Sequence, residues 1–338
     1  MLQNMKYRLI LLITLVCTGC ERLLISPDEQ NTNVYNFELL WKTIHDKYCY
    51  FELKHIDWNA IHTKYYARVN DSLSQEAFFT VMSQMMNELK DGHVNLQIPN
   101  TRFSYTYYSN QGLLRGYARN FNDSILTNQY LKIGYGQKIR HIVFPQNIGY
   151  LYYGSFSSSL KDSEWDTIFQ DFVNTKGLII DVRDNSGGSV ENIKTLMKHI
   201  VSQKTLIGYT RSKNSEEPND FKAYTPVYVE PSGTPFYKKV VVLTNRRVFS
   251  AANMFVSAMS EQKNVVLVGD ITGGGGAGPI GGELLNGWLY RFSAMAFSNS
   301  QKQDIENGVS PDIKINISAK DEENNIDSIL ERAFLEFN

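Results

Sequence analysis

The sequence predicts an α/β core, a mixed or largely parallel sheet layered with helices, preceded by an N-terminal helical bundle and a small β-rich connecting segment. Three observations carry this. Gly177-Leu178-Ile179-Ile180-Asp181-Val182, Val240-Val241-Val242-Leu243-Thr244 and Val265-Val266-Leu267-Val268 are apolar runs of strand length, the pattern of strands buried on both faces. Amphipathic stretches at 163–173, 190–202 and 251–260 alternate with them, as βα units of a parallel sheet require. Between 34 and 89, by contrast, apolar residues recur at helical spacing.

In chain order, residues 1–19 read as a signal peptide. Lys6 and Arg8 precede an apolar run at 9–16 and small residues before Cys20. That run is short of the about 20 apolar residues of a membrane span. Val16-Cys17-Thr18-Gly19-Cys20 resembles a bacterial lipobox, with Cys17 where Leu is commonest, so Cys20 is the expected lipidation site and an ordinary cleavage site the alternative. The expected product is an exported lipoprotein of the bacterial cell envelope, held to a membrane through Cys20. Residues 20–33 are polar, with a Pro, and read as a tether. Of the three cysteines only Cys49 would then be free, so no intramolecular disulfide is expected and Cys49 reads as a buried structural thiol.

Residues 34–93 read as a helical domain. Phe37, Leu40, Trp41 and Ile44 form one stripe; Trp58, Ile61, Tyr65 and Tyr66 a second; Phe78, Phe79, Val81, Met82, Met85, Met86 and Leu89 a third. Ser72 or Ser74 can cap the third helix, with Glu76 in its first turn, and Gly92 reads as a left-handed C-cap. Residues 94–145 hold short runs at 94–98, 105–107 and 142–144 broken by Asn, Gly and Pro, consistent with hairpins. Residues 146–338 carry the α/β core, beginning with a strand at 149–153. The net charge of −1 gives no basic face for nucleic acid. The 20 Tyr and 18 Phe read first as core and sheet packing, and second as a peptide- or glycan-binding lining.

Chemistry concentrates at the strand ends. The strand at 240–244 runs into Asn245-Arg246-Arg247-Val248-Phe249, and Ser250 then opens a helix. A serine there is a favoured N-cap, and equally a hydroxyl beside unpaired N–H groups able to hold an oxyanion. Asp184-Asn185-Ser186-Gly187-Gly188 follows the strand at 177–182, and paired glycines let backbone approach a ligand. Gly269-Asp270-Ile271-Thr272-Gly273-Gly274-Gly275-Gly276 is glycine-rich but lacks the GK[ST] of a phosphate loop. There is no HExxH and no Cys–His cluster, so neither metal nor cofactor is expected; Asp181, Asp184 and Asp270 read as turn residues or partners of Arg183.

Five segments, in order, resemble the C-terminal-processing, tail-specific and tricorn-core serine peptidases: LKDGH (89–93), LIIDVRDNSGG (178–188), VVLTNRRVFSAANMF (241–255), VGDITGG (268–274) and IENGVSPDI (305–313). The resemblance implies a ClpP/crotonase-like core, a peptide or protein substrate, Ser250 as nucleophile, and an oxyanion hole from the N–H of Ala251 and of Gly187 or Gly188. One branch of the family takes its base from a lysine in the glycine loop. Gly275 stands at that place here and no lysine lies between Lys263 and Lys302. The tricorn-like branch takes it from a histidine at the end of the helical domain, which corresponds to His93, supported by a glutamate corresponding to Glu306. In that branch a serine precedes the histidine and relays to the glutamate. Here the position is Gly92, so Glu306 must reach His93 directly or through water.

Histidine suits the chemistry, since its ordinary pKa of ~6.5 lets it take a serine proton near neutral pH. His45, His55, His62, His141 and His199 lie in helical or strand patterns and read as structural. The family often carries a PDZ domain after the histidine, and residues 94–145 are too few for one. The competing expectation is a non-catalytic lipoprotein that binds peptides or hydrophobic ligands on the same scaffold, since a fold does not fix a function.

Overall fold

The computed structural model of the protein describes residues 31–338 apart from 111–113, 115, 132–137, 218 and 234. The signal segment 1–19, Cys20 and most of the 20–33 tether lie outside the described residues. No helix among the described residues is long and apolar enough to cross a membrane.

Three helices come first: α1 (Asn33–Lys47), α2 (Trp58–Tyr66) and α3 (Gln75–Asn87). Thr32, Asp57 and Ser74 cap them, each side chain accepting a first-turn N–H, so Ser74 rather than Ser72 opens α3. The spacing that marks them as helices also sets their buried face. Phe37, Leu40, Ile44, Phe78, Met82 and Met85 are fully buried, in one cluster with Trp288 and Phe292. After α3 the left-handed residue is Lys90 (φ 45°), not Gly92.

The strands are β1 (Asn95–Gln97), β2 (Ser104–Thr106), β3 (Ile139–Val143), β4 (Gly149–Tyr153), β5 (Gly177–Asp181), β6 (Thr205–Ser212), β7 (Thr225–Val229), β8 (Lys239–Thr244), β9 (Val265–Gly269), β10 (Ala277–Glu283), β11 (Leu289–Ser298) and β12 (Ile313–Lys314). They form two sheets of six. One has the order β12-β9-β8-β5-β4-β3, parallel from β12 to β4, with β3 antiparallel at the edge. Helices α4 (Asp162–Phe172), α5 (Val190–Met197) and α6 (Ala251–Ser260) contribute to the core on one face; α7 (Ser328–Phe334) lies on the other. Every residue of β5 is therefore buried, with Leu178 and Ile180 in the first core and Ile179 in the second, as the two-residue period of a strand requires.

The second sheet, β2-β1-β11-β6-β7 with β10 also on β11, is antiparallel and carries the helical bundle. Residues 94–145 do not make a unit of their own: β1 and β2 join β11, β3 joins β4, and short helical turns lie between. Strands of three residues hold too little ladder for a free-standing hairpin and need a larger sheet.

Past the end of β5, Arg183 is fully buried. Its guanidinium donates to Asp181 Oδ2 at 2.6 Å and to both oxygens of Asp327 at 2.8 Å, while Asp327 also caps α7. Removing one carboxylate leaves a buried charge half-paired. Asp327→Ala is therefore expected to destabilise the protein by about 3–5 kcal/mol. Urea unfolding checks this, and a loss below about 1 kcal/mol would contradict it.

Candidate active site

Three loops meet at the C-terminal ends of β5, β8 and β9, the usual ligand side of a parallel sheet. Asn245, just past β8, ties two of them: its Oδ1 accepts the Asp184 N–H at 3.1 Å and its Nδ2 donates to Asp184 Oδ1 at 2.7 Å. The Phe249 N–H reaches Asn185 O at 3.1 Å, and the Ser250 N–H reaches Gly274 O at 2.9 Å. The glycine-rich loop thus holds the backbone of Ser250. It needs glycine there because a Cβ on Gly274 (φ 78°) would lie 1.9 Å from Glu306 O.

Ser250 has φ 56° and ψ −124°, a backbone conformation that costs a non-glycine residue about 1–3 kcal/mol. Its side chain does not cap α6, which removes the plain-cap reading. The hydroxyl instead lies 2.9 Å from His93 Nε2. Ala251 begins α6, so its N–H is one of the donors that helix geometry leaves unpaired, at the positive end of the helix. The double-glycine turn packs against it: a Cβ on Gly187 would sit 2.8 Å from Ser250 Cβ and 3.0 Å from Ala251 N. The Gly187 N–H is already donated to Asn185 Oδ1 at 2.9 Å.

His93 arrives from the turn between α3 and β1. Asp91 Oδ1 accepts the His93 N–H at 2.8 Å, and Asn95 Nδ2 donates to His93 O at 2.8 Å, so the backbone is pinned on both sides. The ring is 3% exposed and packs on Phe249 with centroids 4.7 Å apart. Burial lowers its pKa to about 4, against the pull of Asp91, with Arg291 and Lys54 adding to the fall. The surroundings thus shift the ring downward from the ordinary histidine value, because a neutral ring is what a dry site favours. The other ring nitrogen, Nδ1, lies 3.4 Å from Ser293 Oγ and 3.9 Å from Asp91 Oδ1.

Glu306 stands elsewhere. Its Oε1 accepts from Lys54 Nζ at 2.7 Å and its Oε2 from the Gly276 N–H at 2.8 Å; among the described residues no hydrogen bond joins it to His93. Burial and the neighbouring Asp91 charge push its carboxyl up to about 8, against the pull of Lys54. Direct reach to His93, one of the two routes expected from the sequence, is not made. Ser293, by contrast, gave no signal in the sequence. Cys49 is buried and its thiol is pushed up by desolvation, which suits a structural role.

His93, Ser250, Ala251, Gly187 and Gly188 all line one cleft of about 610 Å³. Its remaining wall mixes apolar Val190, Val227, Met254 and Phe297 with polar Asn95, Thr210, Lys194 and Arg291. A hydroxyl bonded to a neutral imidazole, next to converging N–H donors, can attack a carbonyl and stabilise the resulting oxyanion.

Comparison with known proteins gives the family and the fold. Residues 147–315 match the model of Peptidase family S41, and residues 30–87 that of the Tricorn protease C1 domain. The carboxy-terminal processing protease CtpA of Bacillus subtilis (strain 168) is 26% identical over 170 residues, 50% of this chain and 35% of that protein. CtpB of the same organism is 27% identical over 136 residues, covering 39% of this chain and 27% of that protein. The chain thus spans about a third of the length of these curated relatives. A candidate peptidase from Parabacteroides merdae ATCC 43184 superposes with a TM-score of 0.83 at 36% identity, over 91% of this chain and 97% of that one.

Proposed function

Since the chain belongs to peptidase family S41, we propose that it is a serine peptidase, of the endopeptidase type, in which Ser250 attacks the peptide carbonyl and His93 is the general base. The observation that carries this reading is the 2.9 Å contact between Ser250 Oγ and His93 Nε2. In the competent tautomer Nδ1 carries the ring proton and Nε2 accepts from the hydroxyl. Attack moves the Ser250 proton to Nε2, and the carbonyl oxygen becomes an oxyanion held by the Ala251 and Gly188 N–H groups. The imidazolium then protonates the leaving amine, the C–N bond breaks, and an acyl-Ser250 ester remains. Water, deprotonated by His93, releases the acid and restores Ser250. Hydrolysis and fluorophosphonate labelling that depend on Ser250 test the reading; equal labelling of Ser250→Ala would refute it. The hydrogen-bonded pair and the strained serine backbone favour catalysis over the ligand-carrier alternative, which needs neither.

We further propose that the chain is exported and lipid-anchored at Cys20 as a lipoprotein of the bacterial cell envelope. The support is the sequence alone: basic residues, a short apolar run, and small residues before Cys20. Cys20→Ser is expected to accumulate unprocessed precursor in the membrane fraction. Cleavage of that variant at the normal rate would point to an ordinary signal peptidase site.

A further inference from the structure

A side chain at the position before His93 would displace the Phe249 ring. A Cβ on Gly92 would lie 2.6 Å from Phe249 Cζ and 2.8 Å from Cε2, inside the ring that also packs against the imidazole. A hydroxyl nevertheless reaches Nδ1 from another part of the chain. Ser293, fully buried on β11, places Oγ 3.4 Å from His93 Nδ1. Burial opposes the charge of the nearby Asp91 carboxylate, while Lys54, His93 and, least of all, the Ser293 hydroxyl help to hold it ionised. Asp91 is fully buried and further anchored by the Tyr48 hydroxyl at 3.0 Å and by Lys54 Nζ at 3.7 Å. Its own oxygen is 3.9 Å from Nδ1, beyond hydrogen-bond reach, so the Ser293 hydroxyl at 3.4 Å is the nearer partner of that nitrogen.

On the peptidase reading above, we propose that Ser293 and Asp91 are the positioning residues of His93, connected as His93 Nδ1–H to Ser293 Oγ and Ser293 O–H to the Asp91 carboxylate. The arrangement selects the tautomer that leaves Nε2 free to accept the Ser250 proton. When that proton arrives, the imidazolium charge faces a buried anion through one hydroxyl, and the Nδ1 proton stays where it is. A separation of 3.4 Å is long for such a bond, as catalytic hydrogen bonds often are before substrate binds. Glu306 does not fill this role: Lys54 and the Gly276 N–H occupy its oxygens. The charged and titratable groups acting on His93 and Asp91 include Lys54, Arg291, Tyr48, Cys49, Tyr50, Tyr105 and Glu306.

The test compares fluorophosphonate labelling rates across pH for wild type, Ser293→Ala, Ser293→Thr, Asp91→Asn and Glu306→Gln. It also follows the Nδ1–H resonance of His93 by NMR in the unlabelled proteins. Ser293→Ala and Asp91→Asn are expected to label about 10–100-fold more slowly, the usual cost of losing a group that orients a reacting side chain. Both should move the acid limb to lower pH, because the anion that holds the His93 pKa up is lost or disconnected. Ser293→Thr keeps the hydroxyl and should recover most of the rate, while Glu306→Gln should cost less and leave the acid limb in place. The Nδ1–H resonance should be protected from exchange in wild type and move upfield, with faster exchange, in Ser293→Ala. Asp91→Asn, an isosteric change, carries the same comparison where Ser293→Ala does not fold. A Ser293→Ala protein with wild-type rate, limb and Nδ1–H resonance would overturn the proposal, as would a Glu306→Gln protein reproducing the Asp91→Asn shift. A wild type that neither labels nor hydrolyses would refute the peptidase reading instead, and the NMR comparison would still decide the Ser293 link.

Discussion

Ser250→Ala is expected to abolish fluorophosphonate labelling and to lower peptide hydrolysis by about 10⁴–10⁶, with little change in stability. The size follows from what the hydroxyl does. It supplies the bond-forming atom, so no acyl-enzyme forms without it, and what remains is carbonyl polarisation by the Ala251 and Gly188 N–H groups. Stability should stay within about 0.5 kcal/mol, because Ser250 Oγ caps no helix and the alanine inherits the same backbone at φ 56°. Ser250→Gly separates the two effects: equally inactive, it relieves the strain and should unfold later than wild type. Ser250→Ala combined with His93→Ala should be no slower than either alone, since nucleophile and base act as one unit. Substantial activity in Ser250→Ala, or multiplicative losses in the double variant, would remove Ser250 as the nucleophile.

The local signals in the sequence were those with short range. Apolar runs identified β5, β8 and β9, and a strand, polar turn and helix start placed Ser250 beside Ala251. Residues that meet only through the sheets were not legible in the same way. The stretches that form β6, β7, β10 and β11 carry Gly, Pro, Thr and Tyr at mixed spacing and gave no strand reading, so only β1 and β2 of the antiparallel sheet were legible. Ser293 sits on β11, 200 residues from His93, and only the register of Asn95 opposite Arg291 brings it beside the ring. Gly92 was read as a helix cap because glycine tolerates a left-handed backbone. Lys90 takes that conformation instead, and the glycine answers to the Phe249 ring. Nor does a linear sequence report burial, and it is burial that separates His93 from an ordinary histidine and Glu306 from an ordinary carboxylate.

His93→Ala is expected to lose about 10⁴–10⁶ in kcat/KM, and the wild-type pH profile should distinguish this base from an exposed histidine. The active form is the neutral ring, so kcat/KM rises with pH through the His93 pKa and is flat above it. With that pKa lowered to about 4, the acid limb lies near pH 4 and activity is nearly complete by pH 5.5. A histidine at ~6.5 would be only about one-tenth neutral at pH 5.5, so the two cases differ there by roughly tenfold. The cause is desolvation of the buried ring, and a charge placed near it should move the limb in a known direction. Arg291 and Lys54 lower the pKa, so Arg291→Gln should shift the limb toward neutral pH, opposite to Asp91→Asn. The same shift bears on folding. Between pH 6.5 and about 4 the unfolded chain binds a proton that folded His93 refuses, so this group's contribution to stability is full above pH 6.5 and is lost as pH falls through 4. His93→Ala should therefore lose less stability than wild type on acidification over that range. The measurements are a pH–rate profile on one peptide substrate for wild type, His93→Ala and Arg291→Gln, with thermal unfolding of the first two at pH 5 and 7. Full activity in His93→Ala would transfer the base to another group of the helical bundle. A wild-type limb at 6.5 would mean that water reaches the ring and that the cleft is wetter than its packing against Phe249 implies.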